Sequence, residues 1–288
     1  MRNTTTETAR KPRSDRGKIV WNNRDVYALT WIAHQYAIHL HHLQRLLAEL
    51  PGHGAKTLDH VSEGSARDVV TRWKKAGWVK TAFIRAHEPF WIWPTRAALK
   101  ILGLPYEYKD IGQTRLDDFN HLAAINEIRL LEADGDEDIE WISERQLLQG
   151  VVHKEGVALL HRPDGVMQWR GKGIIAIEAE LSTKKGPELR ENLMELIRGQ
   201  EYLQIRADHG TEQAAIMSKG ASSQYTEVWY FGPAPVRKLV RKERARLVEQ
   251  GCLTEKEADR IFTLWYPLAE TQEDKQREAD EDGRDLSD

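Results

Sequence analysis

Apolar positions recur at helical spacing from the start of the chain's patterned region. Val26, Leu29, Ile32 and Ala33 follow Asn22 and Asn23, either of which can cap the helix they define. A second run, Ile38 to Leu50, carries Leu40, Leu43, Leu46, Leu47 and Leu50 and stops at Pro51-Gly52-His53-Gly54. A third predicted helix starts near Ser62 or Ser65 and continues to Ala76. Ala66, Val69, Val70 and Trp73 form its buried stripe, and Ser65, Arg67, Asp68, Thr71, Arg72, Lys74 and Lys75 lie opposite. Gly77 closes it. Two β-like runs follow, Trp78 to Ile84 and Phe90 to Trp93, joined by a hairpin tip at Arg85 to Pro89. Pro94-Thr95-Arg96-Ala97-Ala98-Leu99 opens a further helix.

Three helices followed by a β-hairpin make a winged helix-turn-helix. A recognition helix of that fold buries one stripe and presents short polar and basic side chains to the major groove. The third helix does both, so the expected DNA contacts are Ser65, Arg67, Thr71, Arg72, Lys74 and Lys75, with Arg85 at the hairpin tip. Read without DNA, the same residues solvate an ordinary surface helix. His39-Leu40-His41 resembles the metal pair of rolling-circle relaxases, but a leucine-periodic helix points the two rings apart. His39 and His42, three apart, could share a metal, yet the pattern sets no carboxylate or third His beside them, so solvated or phosphate-contacting histidines are expected.

From residue 111 the pattern changes. A helix through Leu122, Ile125, Ile128, Leu130 and Leu131 leads to a turn at Asp134-Gly135-Asp136 and a strand at Ile139-Glu140-Trp141-Ile142. Further strands are predicted at Val157 to Leu160, Val166 to Trp169 and Ile174 to Leu181. A long helix over Pro187 to Ile205, a strand at Glu227 to Phe231, a basic helix over Val236 to Gln250 and a strand at Phe262 to Tyr266 complete the unit.

The net charge of -3 hides an asymmetry. Residues 1–110 hold 18 Lys/Arg against 10 Asp/Glu, whereas residues 270–288 hold 3 against 9. A basic first third suggests a polyanionic partner, of which nucleic acid is the commonest. The division is therefore a basic disordered arm (1–18), a winged helix-turn-helix domain (19–110), an α/β domain (111–269) and an acidic disordered tail (270–288). No apolar run approaches the ~18 residues of a membrane span, and the first residues lack the apolar core of a secretory signal. The lone cysteine, Cys252, leaves no internal disulfide. The expectation is a cytoplasmic protein without a membrane partner.

In the second unit, helix–strand–strand–strand–helix–strand, with Pro163-Asp164 before one strand and Glu178-Ala179-Glu180 on the next, resembles the PD-(D/E)xK nuclease superfamily. The resemblance implies a catalytic set of Asp164, Glu178 and Glu180, with Asp164 and Glu178 as ligands of Mg²⁺ or Mn²⁺. Glu180 stands where the superfamily usually has Lys; Lys184 or Lys185 could swing back, but neither is on that strand face by spacing. Glu178 and Glu180 share a face and need a metal, a proton or a cation between them. Glu127 and Glu144 are weaker additional acids.

The whole of 19–266 resembles the replication-relaxation protein family of actinobacterial plasmids and phages. The matching runs are Pro94-Thr95-Arg96-Ala97-Ala98, His121-Leu122-Ala123-Ala124-Ile125-Asn126, Trp141-Ile142-Ser143-Glu144-Arg145, Arg162-Pro163-Asp164-Gly165 and Ile177 to Lys185. This implies a protein of a mobile element that binds double-stranded DNA and acts in replication or relaxation, alongside other replication or mobilisation proteins. Metal-dependent nicking and homodimerisation are left open. The alternative is a transcriptional regulator whose nuclease-like domain only dimerises or binds a partner.

Overall fold

The computed structural model describes residues 21–49, 60–86, 88–113, 115–133, 136–150 and 161–265. The expected arm (1–18), the acidic tail (270–288), the Pro51-Gly54 stop and the strand expected at 157–160 lie outside these residues.

Helix α1 (Asn23–His34) starts in a reciprocal cap. The Asn22 side chain accepts from the Asp25 N–H at 2.8 Å, and the Asp25 carboxylate accepts from the Asn22 N–H at 3.3 Å. The leucine spacing predicts one helix from Ile38, but the structure extends Ile38–His39 into a short strand, β1, before α2 (Leu40–Glu49). Tyr36, at φ 68°, turns the chain so that Ile38 meets Ile92 and His39 meets Trp91 across an antiparallel pair. Ser62 caps α3 (Glu63–Lys75), and β2 (Val79–Ala82), β3 (Trp91–Pro94) and α4 (Arg96–Ile101) follow. The three strands form an antiparallel sheet in the order β1-β3-β2. Leu29, Ile32, Leu40, Leu43, Val70, Trp73 and Ile92 close the core between the helices and this sheet. Burial of each such side chain stabilises the fold by roughly 1.5–3 kcal/mol before the entropy of ordering it.

The second unit runs α5 (Leu116–Glu132), β4 (Ile139–Ser143), α6 (Glu144–Leu147), β5 (Gly165–Trp169), β6 (Gly173–Ala179) and α7 (Gly186–Arg198). Next come α8 (Gln200–His209), α9 (Thr211–Met217), β7 (Glu227–Gly232), α10 (Ala234–Glu249), α11 (Glu255–Ala258) and β8 (Ile261–Trp265). The long helix expected over Pro187 to Ile205 is interrupted at Gly199. Its φ of 69° is a conformation that costs glycine little, and it separates α7 from α8.

Five strands lie in the order β4-β5-β6-β7-β8, antiparallel from β4 to β6 and parallel from β6 to β8. Alternation along β6 serves both faces. Ala176 packs with Leu193, Ile197 and Val240 of α7 and α10, whereas Ile175 and Ile177 pack with Ala124, Ile125 and Ile128 of α5. The result is helices on both faces of a mixed sheet.

Helix α5 also touches the first unit. The Asn126 side chain donates to the Ala37 carbonyl at 2.9 Å, and Leu130 enters the first core. Buried Arg145 donates to the carbonyls of Ala33 and Glu107 at 2.7 and 2.5 Å while lying over the rings of Tyr36 and Tyr106. Among the described residues no helix is long and apolar enough to cross a membrane.

Candidate functional site

Helix α3 turns Ala66, Val69, Val70 and Trp73 inward and leaves Ser65, Arg67, Thr71, Lys74 and Lys75 exposed. Ser65 donates its N–H to the capping Ser62 hydroxyl. Arg67 pairs with Glu63 at 2.6 Å and lies 5.1 Å over the Phe90 ring. Lys74 and Lys75 extend from the last turn of the helix. Arg85, at the hairpin tip, pairs with Glu88 at 3.2 Å, and nearby Phe83 is 68% exposed, an aromatic that the periodicity does not single out.

Arg72 departs from the expectation. Its guanidinium grips the Asp25 carboxylate with both Nη atoms, one at 2.7 Å, and Trp73 Nε1 donates to the same carboxylate at 2.8 Å. Asp25 is fully buried, so a charge left there without a partner would cost several kcal/mol. Arg72 belongs to the join between α1 and α3 rather than to the exposed row.

The acids of the second unit meet at one end of the sheet. Gly165 pairs with Ile177, so Asp164 and Glu178 stand next in register across β5 and β6. Gly165 is required there, because a Cβ would come within 2.4 Å of the Trp141 ring. Asp164 Oδ2 accepts from the N–H of Ala179, the residue between Glu178 and Glu180, at 2.8 Å. Gly232, at the end of β7, allows an equally close approach: a Cβ there would lie 2.6 Å from the Glu180 carbonyl.

Each carboxylate has a nitrogen partner. His121 Nε2 of α5 lies 2.9 Å from Asp164 Oδ1, and His161 Nε2 lies 2.9 Å from Glu178 Oε1. Lys184 Nζ reaches Glu180 at 2.7 Å. Lys184 is off the strand, as its spacing implies, and swings back to Glu180 from the loop that follows. Spacing along β6 does not limit a flexible side chain in the loop that follows it.

The electrostatics reflect crowded negative charge. Burial pushes the Glu178 carboxyl upward; the His161 hydrogen bond opposes the rise, and the Asp164 charge adds to it. Burial alone would lower His121, but the hydrogen bond and charge of Asp164, with Glu178 and Glu180, push it up to about 9. His161 is raised against its own burial by Glu178, and Lys184 against its own by Glu180. Buried Tyr230, cross-strand from Glu178, is raised well above the usual phenol value by burial and by the same three acids.

The sequence pattern assigns no role to His121 or His161. His161 sits three residues before Asp164, and His121 approaches from another helix, so no local spacing marks either. Glu144 faces Arg162 at 3.6 Å, at the rim. Glu127 lies elsewhere, between Arg45 at 2.5 Å and His42 at 3.0 Å.

That second place also corrects the reading of His39-Leu40-His41. His39 is on β1 and His41 is in the first turn of α2, so their rings meet edge-on at 5.2 Å rather than diverging. His42 joins them at 5.8 Å from His39, with the Glu127 carboxylate beside it.

Comparison with models of protein families, with curated proteins and with solved structures returns no match to this chain.

Proposed function

We propose that the protein binds DNA and serves a plasmid, phage or other mobile element in DNA replication or relaxation. In this reading residues 19–110 are a winged helix-turn-helix unit whose helix α3 enters the major groove of a duplex. Residues 111–269 are a PD-(D/E)xK nuclease-like unit. The observation that carries the reading is the Asp164–Ala179 hydrogen bond, which ties the acid before β5 to the residue between the two acids at the end of β6. The order α5-β4-α6-β5-β6-α7, with the short α6 inserted, supports it, and β7 returns parallel to β6.

The donor set fits a hard divalent cation. Among the described residues no three His, Cys, Asp or Glu side chains form a ready-made metal cage. Mg²⁺ does not need one, since one or two carboxylates with water and substrate phosphate complete its shell. Asp164 and Glu178 would hold Mg²⁺ or Mn²⁺. Bound there, the ion would supply Lewis-acid stabilisation of a scissile phosphate. The chain's own residues do the rest. Asp164 is oriented by the Ala179 N–H and His121, Glu180 is positioned to hold an attacking water, and the Lys184 ammonium brings the cation that position 180 lacks.

A second reading is favoured by one observation. His121, His161 and Lys184 already balance the three acids, as in an ion-pair cluster without catalysis. The protein would then be a transcriptional regulator whose α/β unit binds a partner. Supercoiled plasmid incubated with Mg²⁺ or Mn²⁺, wild type beside Asp164→Ala, separates the two. Nicking by wild type alone supports the nuclease reading, whereas sequence-specific binding without nicking supports a non-catalytic DNA-binding protein, of a mobile element or a regulator.

A further inference from the structure

A cleft of about 770 Å³ separates α2 and the β2–β3 hairpin from α5 and the C-terminal ends of the sheet strands, and three histidines line it: His39, His41 and His42. Two of the three have second partners of the kind found around metal-binding imidazoles, where a carboxylate or carbonyl fixes the ring from behind. His42 Nε2 lies 3.0 Å from Glu127 Oε2, and Arg45 holds the other Glu127 oxygen at 2.5 Å. His39 is hydrogen-bonded to the backbone of Pro89.

One ring nitrogen of His42, Nδ1, stays uncommitted. The His42 side chain is only 6% exposed, yet Nδ1 has no hydrogen-bond partner, which is expensive for a buried polar atom. His39, on β1, faces both other rings, with centroids 5.2 Å from His41 and 5.8 Å from His42. His41 is exposed and is the adaptable member, since rotation of its side chain changes which nitrogen faces His39.

We propose that His39, His41 and His42 form a binding site for a borderline divalent transition cation such as Zn²⁺ or Co²⁺, with Glu127 and the Pro89 backbone as the orienting second layer. The three side chains are not at ligating positions around one point. Binding therefore includes a turn of His41 towards the other two rings. Imidazole nitrogen suits these ions and not Mg²⁺, so this site and the carboxylate cluster select different metals. It stands independently of the nuclease reading.

The test is calorimetric titration of the full chain with Zn²⁺, in wild type and in an Asp164→Asn, Glu178→Gln background that removes the carboxylate cluster. The expected result is one-to-one binding in that background, lost in His39→Ala and His42→Ala. Glu127→Gln should weaken it roughly 10–100-fold. Co²⁺ should give visible absorption of a nitrogen-bound ion in the same background. His42 is buried and its variant can misfold, so exposed His41→Ala, checked by circular dichroism, is the decisive control and should also weaken binding. Absence of Zn²⁺ binding in that background, or equal binding by His41→Ala and its parent, overturns the proposal.

Discussion

Arg72 and Asp25, 47 residues apart, share a bidentate ion pair that ties the third helix to the first turn of α1. The Asp25 side chain is fully buried and the Arg72 side chain is 30% exposed. Losing the guanidinium leaves an uncompensated carboxylate inside the core. Arg72→Ala should therefore lower the unfolding free energy by about 3 kcal/mol, the lower end for broken buried pairs because Arg72 keeps some solvent contact. Urea unfolding followed by tryptophan fluorescence reads this directly, and a change under ~0.5 kcal/mol, the range of ordinary surface substitutions, would contradict the pairing.

Lys74 and Lys75 should behave in the opposite way. Both are exposed at the end of α3, so replacing them together by Ala should move stability by no more than ~0.5 kcal/mol each. Duplex binding should weaken, and the slope of log K against log salt should flatten by ~0.9 for each phosphate no longer neutralised by a lysine. A gel-shift series across salt concentrations that leaves the slope unchanged would remove α3 from the DNA interface.

The carboxylate cluster makes a metal prediction of its own. Mn²⁺ titrated calorimetrically into wild type should give heat that Glu178→Gln does not, since hard cations take carboxylate oxygens. Equal heat from both proteins would mean that the acids are structural.

His121 predicts a pH dependence. Its folded-state pKa of about 9 lies above the ordinary 6.5, because Asp164, Glu178 and Glu180 favour the charged ring. A raised pKa contributes stability that is fully present below about pH 6.5 and is lost as pH rises through about 9. Asp164→Asn removes the first of these partners, so the His121 ring proton should titrate lower by NMR. An unshifted titration in that variant would refute the pair.

The sequence predicts the elements well where one local pattern decides them. The stripe Ala66, Val69, Val70, Trp73 places α3, and the apolar run ending in Glu178 places β6. It misleads where a partner distant in sequence overrides local spacing. Ile38 and His39 fit a leucine helix, yet pairing with Ile92 and Trp91 extends them. Arg72 fits the exposed face of α3, yet Asp25 draws it inward. His121 and His161 carry no periodic signal, because what places them is the meeting of α5 with the strand ends. The Gly199 break is marked only by the glycine itself, inside an otherwise continuous amphipathic run.

Arg145 changes what the border at residue 110 means. Its two carbonyl acceptors, Ala33 and Glu107, lie on the far side of that border, and Trp91 and Trp93 are buried together with Ile111 and Phe119 from the near side. A chain cut there would bare two indole rings and strand a buried guanidinium. The border is a seam rather than a hinge. Halves expressed separately would aggregate or need each other, and the intact chain should melt in one step, with the exposed row of α3 and the carboxylate cluster held at one fixed separation.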